Sequence, residues 1–240
     1  SKPYHDRDDT SKRGPCRAPA PAPSTGRRAQ LDHRGIFEDN PFMAEANVSF
    51  SCGVLHLEGV LARVRGTRGV VVTHPHPLYG GDMDNPVVLA ICRAYRRQGL
   101  STLRFNFRGV GESSGRHGRG VGEREDVRAA GAYMTGLGIT EIDLAGYSFG
   151  AWVNVGAAEG FSRMAMVSPP LAFIDFGTPA PLPNLHLIVT GSRDDIAPPH
   201  LIEKVRLTWN PAAVFKVLTD ADHFYSGFLK TLEDTIADGI

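Results

Sequence analysis

The most informative stretch of this chain is Gly146-Tyr147-Ser148-Phe149-Gly150. Residues 141–145 before it are apolar enough for a short strand, and residues 151–158 after it are typical of a helix start. A serine at such a corner is expected to adopt a strained conformation with positive φ, which lifts its hydroxyl clear of the sheet. A Cβ at either glycine would strike the closely packed strand and helix. The pattern predicts that Ser148 is a nucleophile.

A serine nucleophile needs a general base, and the base needs an orienting acid. On a strand-turn-helix scaffold of this kind the chain order is serine, then acid, then histidine, each in a loop that follows a strand. Asp194 follows one apolar segment and His223 follows a later one. We therefore assign Asp194 as the acid and His223 as the base, and Asp195 stays an alternative for the acid.

The third requirement is a pair of backbone N–H donors for a developing oxyanion. The Phe149 amide, directly after the nucleophile, is the expected first donor. The second should come from the loop at residues 74–81, which follows an earlier strand. The prolines on both sides of His76 have no N–H, so we predict the His76 amide, with Leu78 and Tyr79 as alternatives.

The same loop also permits a metal-binding interpretation. His74 and His76 lie two residues apart, with Asp82 and Asp84 nearby, but no third ligand on a regular element is evident. We favour a structural role for His74, in hydrogen bonding the loop, and predict no metal site.

Four motifs carry a family resemblance. They are the run at residues 74–81, the segment 102–111, the acidic pair Glu123 and Asp126, and the segment 145–151. Together they resemble a group of small bacterial α/β-hydrolases, usually described as predicted hydrolases or esterases and related to dienelactone hydrolases. The resemblance implies an α/β-hydrolase fold without a cap domain and the Ser–Asp–His roles given above. Ser148 stands where dienelactone hydrolases have cysteine, which argues against dienelactone chemistry.

The pattern of elements independently indicates an α/β fold, with a mostly parallel central sheet and helices on both faces. The first two strands are expected to form an antiparallel pair. The predicted strands are residues 48–50, 55–64, 70–73, 101–105, 141–145, 164–167, 185–190 and 214–218, and the predicted helices include 86–98, 123–137, 200–209 and 226–237.

Residues 168–184 are rich in proline and too short for a helical cap, so we expect an open, shallow site suited to short or medium acyl chains. We predict that Tyr79, Phe173 and Phe224 contact the substrate. Four apolar residues of this segment either line an acyl pocket or pack on the core; they are Leu171, Phe173, Ile174 and Phe176.

The glycine-rich segment 109–115 lacks the G-x-G-x-x-G spacing of a dinucleotide site. We expect Arg108 and these glycines to brace the rim of the active site. Glu123 and Asp126 fit the start of a helix, where negative charge is favourable, and we assign them to structure.

Composition limits the remaining possibilities. The 240 residues carry 26 basic and 26 acidic side chains, a balance that argues against a general nucleic-acid-binding protein. No apolar run is long enough to span a bilayer. The three cysteines, Cys16, Cys52 and Cys92, have no pairing or metal-ligand spacing, which fits reduced thiols and a cytoplasmic protein. A homodimer stays open.

Residues 1–42 differ in composition from the rest, with alternating alanine and proline at residues 18–23. We expect them to be disordered or a non-native N-terminal extension, with Met43 as the natural start and residues 43–240 as the catalytic domain.

The residues thus predict a serine hydrolase that cleaves short- to medium-chain carboxylic esters through an acyl-enzyme, with no cofactor and a small-molecule ester as its partner. A thioesterase, peptidase or acyltransferase on the same triad is the alternative, and a non-catalytic ligand-binding protein is a more distant one.

Overall fold

The computed structural model describes residues 44–240. The predictions for residues 1–42 and for Met43 as a start lie outside this range, as does Cys16. The described residues contain an eight-stranded sheet flanked by five α-helices.

The strands alternate with helices along most of the chain. They are β1 (Glu45–Cys52), β2 (Leu55–Ala62), β3 (Arg68–Thr73), β4 (Ser101–Phe105), β5 (Glu141–Tyr147), β6 (Met164–Val167), β7 (Leu185–Gly191) and β8 (Val214–Leu218). Their order in the sheet is β1-β2-β4-β3-β5-β6-β7-β8.

The sheet is mostly parallel. β1 pairs with β2, and β2 with β4, in antiparallel fashion, whereas β3 to β8 are parallel to one another. The carboxyl ends of β3, β5, β7 and β8 therefore lie along one edge, and the residues predicted for the triad and the oxyanion hole follow these four strands.

The helices cover both faces of the sheet. They are α1 (Pro86–Arg97), α2 (Val121–Gly136), α3 (Phe149–Val155), α4 (Pro199–Trp209) and α5 (Leu229–Ala237). The apolar sides of α2, α3 and α4 join one buried cluster, and those of α1 and α5 join another. The predicted α/β fold is confirmed.

Several element boundaries differ from the sequence-based expectation by one to three residues, and one turn was not expected. α5 begins at Leu229 and not at residue 226, because Gly227 has φ 79°, which a helix cannot accommodate. α2 begins two residues earlier than predicted, directly after Gly120. A short 3₁₀ turn at Pro77–Tyr79 was not predicted.

Residues 168–184, between β6 and β7, contain turns but no helix or strand, so the edge that holds the site has no cap there. Across residues 44–240, none of the helices has the length and apolar character needed to cross a bilayer.

Candidate active site

Ser148 lies at the corner between β5 and α3. Its φ is 53° and its ψ is −117°, the positive-φ conformation that the strand-to-helix corner predicts. A Cβ on Gly146 would lie 2.6 Å from Thr73 Oγ1, and one on Gly150 would lie 2.7 Å from the Thr73 carbonyl oxygen. Only glycine at both positions allows the corner to pack against β3 this closely.

The three predicted catalytic side chains meet at this corner. His223 Nε2 is 3.0 Å from Ser148 Oγ, and His223 Nδ1 is 2.9 Å from both carboxylate oxygens of Asp194. The serine and the histidine are nearly buried, and Asp194 is 2% exposed. The arrangement lets Nδ1–H donate to the carboxylate, which leaves Nε2 free to accept the serine proton.

The Asp194 carboxylate is held by several donors besides His223. Its Oδ1 accepts hydrogen bonds from the Ile196 amide at 3.0 Å and the Ala197 amide at 2.7 Å, and Thr190 Oγ1 is 3.3 Å from Oδ2. Burial by itself would raise the pKa of Asp194, but hydrogen bonds from His223, Ser168 and the Ala197 amide outweigh it and the pKa is lowered. The neighbouring Asp195 is exposed to solvent.

Tyr147 supports the loop that carries His223, a contact that the sequence did not indicate. Its hydroxyl donates to the His223 carbonyl oxygen at 2.9 Å, and the two rings lie 5.4 Å apart. The residue is buried and directly precedes Ser148, the predicted nucleophile. The tyrosine at the second position of the G-x-S-x-G motif is the sequence feature from which this contact could have been anticipated.

The hydrogen bonds of the loop after β3 indicate which of its backbone amides could serve as the second oxyanion donor. The Leu78 amide donates to the His76 ring at 3.2 Å, and the Tyr79 amide donates to the His76 carbonyl oxygen at 3.1 Å, so both alternatives are engaged. Within residues 44–240, neither the His76 amide nor the Phe149 amide donates to a protein acceptor. These two N–H groups are thus available to a ligand.

His74 is buried beneath this loop and uses both ring nitrogens. Nδ1 is 2.7 Å from the Pro75 carbonyl oxygen, and Nε2 accepts from the Phe107 amide at 3.1 Å. Burial lowers its pKa to about 4, so the ring is neutral. In the described part of the chain, no group of three or more His, Cys, Asp or Glu side chains is arranged to hold a metal ion.

Two buried carboxylates of α2 brace the rim of the site. Asp126 forms a two-point ion pair with Arg108, at 2.7 Å and 3.0 Å. Glu123 accepts from the Gly118 and Gly120 amides, each at 2.7 Å, and lies 2.9 Å from His117 Nδ1. The motif predicted structural roles for both acids, but it did not predict their full burial or the partner His117.

His117 in turn contacts both residues that offer the free amides. Its ring centre is 5.2 Å from that of His76 and 5.6 Å from that of Phe149. The segment between β4 and α2 therefore packs directly against the loop and the helix that offer these amides.

Ser148 and His223 line a cavity of about 380 Å³ with mostly apolar walls. Tyr79, Phe173 and Phe224 line it and are 74%, 61% and 65% exposed, so they form an apolar rim at its mouth. Of the four apolar residues proposed from the segment 168–184, Phe173 and Ile174 line this cavity. Leu171 and Phe176 instead pack on the core and line a neighbouring cavity, which Ile174 also borders.

Comparison with known proteins places the chain among proteins of similar architecture. No family model matches it. An uncharacterized protein of Rickettsia prowazekii is 33% identical over 184 residues, which cover 70% of this chain and 77% of the relative. A solved α/β serine hydrolase homologue from Coxiella burnetii is 32% identical with a TM-score of 0.76, covering 81% of this chain and 97% of that one. An α/β serine hydrolase without a lid from Xanthomonas campestris is 28% identical with a TM-score of 0.74, covering 81% of this chain and 93% of that one.

Proposed function

The chain belongs to the α/β serine hydrolase family, and on that basis we propose that it cleaves short- to medium-chain carboxylic esters through an acyl-enzyme on Ser148. The observation that carries this proposal is the contact of 3.0 Å between Ser148 Oγ and His223 Nε2, in a ring whose other nitrogen faces Asp194. A serine with a positioned base and an oriented imidazole is the arrangement that acyl transfer requires.

In the first step His223 accepts the proton of Ser148 while the serine oxygen attacks the ester carbonyl. Asp194 keeps the Nδ1 proton in place and stabilises the imidazolium that forms. The negative charge passes to the carbonyl oxygen, where the amides of His76 and Phe149 would each contribute about 3 kcal/mol of transition-state stabilisation. His223 then gives its proton to the departing alkoxide, and the alcohol leaves.

In the second step water replaces the alcohol. His223 removes a proton from the water as it attacks the acyl-enzyme, and the same two amides hold the second oxyanion. Return of the proton to Ser148 Oγ releases the carboxylic acid and restores the triad. The sequence of steps consumes only ester and water.

The cavity supports small apolar substrates. A volume of about 380 Å³ lies near the low end of ligand pockets, and its walls include aromatic rings from three separate loops. The lack of a cap between β6 and β7 leaves little further surface to enclose a long chain. Esters of short or medium aliphatic acids fit these limits.

A substrate panel tests the proposal. We would measure kcat/KM for p-nitrophenyl esters of two to twelve acyl carbons, for acyl-CoA thioesters and for aminoacyl amides. The wild type should favour the oxygen esters by at least about a hundredfold, and Ser148→Ala should lose about 10⁴-fold or more of that activity. The matched control Ser162→Ala changes an exposed serine away from the site and should retain full activity.

Other outcomes of the panel distinguish the alternatives. Preference for thioesters, amides or an acyl acceptor other than water would indicate a thioesterase, peptidase or acyltransferase on the same residues. Binding of esters without turnover by the folded protein would indicate a non-catalytic binding protein. Full activity of Ser148→Ala would rule out the proposed nucleophile.

A further inference from the structure

A second cavity of about 310 Å³ adjoins the catalytic one. It lies between the segment 168–184 and helix α4. Its walls include Leu171, Phe176, Leu201 and Val205, together with the exposed polar residues Asp175, Lys204 and Thr208. Ile174 lines both cavities and so lies where they meet, and we refer to it as the partition.

The backbone around Ile174 holds this partition in place. The Ile174 amide donates to the Pro170 carbonyl oxygen at 2.9 Å, and Trp152 Nε1 donates to the carbonyl oxygen of the next residue, Asp175, at 3.1 Å. The ring of Phe176 packs 5.5 Å from that of Trp209. Ile174 therefore lies between anchored neighbours, and its side chain packs against the core.

We propose that Ile174 sets the upper limit of acyl-chain length because it closes the catalytic cavity off from the second one, which would otherwise take the distal carbons of a longer unbranched aliphatic chain. This inference rests on the proposed function, since the chain must be attached to an acyl group at Ser148. The occupant follows from the shared lining residue, because a chain that extends from Ser148 past Ile174 would enter the second cavity. The apolar side chains of the lining suit an alkyl chain, and its three polar residues, Asp175, Lys204 and Thr208, are all exposed to solvent.

Shortening the partition should join the two spaces. Ile174→Ala removes three carbons without adding a polar group, and each further methylene that the joined cavity takes from water favours binding. A longer chain should gain, whereas a butanoyl chain, which fits within the first cavity, should not. We expect the ratio of kcat/KM for p-nitrophenyl decanoate to that for p-nitrophenyl butanoate to rise at least about tenfold over wild type.

A second substitution shows whether the gain uses the second cavity. Thr208 is exposed, lies on α4 and borders only that cavity. In the Ile174→Ala background, Thr208→Trp should fill the space and return the decanoate-to-butanoate ratio to within about twofold of wild type. Ile174→Val, which removes one carbon, should move the ratio about twofold in the same direction, and it tests the partition should the alanine variant fail to fold.

Phe173→Ala is the matched control, because Phe173 lines the catalytic cavity but not the second one. It removes more apolar surface than Ile174→Ala yet opens no passage, so its ratio should stay level or fall. The inference would be overturned if Ile174→Ala lowered kcat/KM equally for the decanoate and the butanoate. It would also be overturned if Thr208→Trp did not reverse a rise in the decanoate-to-butanoate ratio. Failure of the wild type to cleave any ester would instead refute the proposed function itself.

Discussion

Replacing Asp194 by asparagine should disable the enzyme through the tautomer of His223. The two backbone amides of Ile196 and Ala197 both donate to Oδ1, at 3.0 Å and 2.7 Å. An asparagine must present its carbonyl oxygen to them and therefore its NH₂ group to His223 Nδ1. That NH₂ group lies 2.9 Å from Nδ1 and can only donate, so it repels an Nδ1–H even though the carbonyl oxygen is also 2.9 Å from Nδ1. It therefore favours the imidazole tautomer with the proton on Nε2, which faces Ser148 and cannot take the serine proton.

The size of the expected loss in kcat follows from the two orientations that the asparagine side-chain amide can take. Rotating it to restore the active tautomer would turn its NH₂ against two buried N–H groups, at about 1–3 kcal/mol for each donor left without an acceptor. The inactive orientation is favoured by that difference. A loss of kcat of about 10⁴, the value known for the same change in a serine protease, corresponds to about 5 kcal/mol of transition-state stabilisation.

The assay is kcat for p-nitrophenyl butanoate at pH 7.5, with circular dichroism to verify folding. Asp195→Asn is the matched control, since the adjacent carboxylate is exposed, and it should keep kcat within about twofold. A loss under tenfold in Asp194→Asn, or an equal loss in Asp195→Asn, would refute the reasoning from the two amides.

Three further predictions concern stability. Because burial lowers the pKa of His74 to about 4, the unfolded chain binds a proton there that the native one does not, and the free energy of unfolding should fall by about 3 kcal/mol as pH drops from 6.5 to 4. Urea titrations at several pH values give the free energy of unfolding as a function of pH. In His74→Gln the slope of that dependence should be smaller than in wild type by up to about 1.4 kcal/mol per pH unit, and an unchanged slope would contradict the lowered pKa of His74. Glu123→Ala leaves two backbone amides without an acceptor and should lower the free energy of unfolding by about 3 kcal/mol in the same assay. Glu125→Ala, at an exposed position, should change it by close to zero. Gly150→Ala puts a Cβ 2.7 Å from a backbone oxygen and should cost about 3 kcal/mol, whereas Gly136→Ala, with open space around it, should stabilise α2 by about 0.5–1 kcal/mol; equal effects would contradict the packing argument.

The sequence predicted the elements whose signals are local. Strands β4, β6 and β8 have the predicted bounds, because each is a short run rich in strand-forming residues that ends at turn residues. The corner at Ser148 was predictable for the same reason, since two glycines and the flanking pattern determine it. The start of α5 was not, because the helical pattern of residues 226–228 gives no sign that Gly227 adopts a positive φ.

The contacts that position the site are long-range, and the sequence carried little sign of them. Tyr147 supports a loop 76 residues away, and whether Asp194 or Asp195 faces His223 depends on the turn formed by the amides of Ile196 and Ala197. The partition at Ile174 likewise depends on how the segment 168–184 packs between two cavities. The sequence does not distinguish the apolar residues of this segment, yet in the structure Phe173 lines the catalytic cavity whereas Leu171 and Phe176 line the second one.

Covalent labelling of the nucleophile tests the central claim most directly. A fluorophosphonate probe reacts with a serine only when a base and an oxyanion site activate it. Intact-protein and peptide mass spectrometry of the folded wild type should show one adduct, on Ser148. His223→Ala should label at least about a thousandfold more slowly, and Ser148→Ala should not label at all. A folded wild type that stays unlabelled, or an adduct on another residue, would contradict the account.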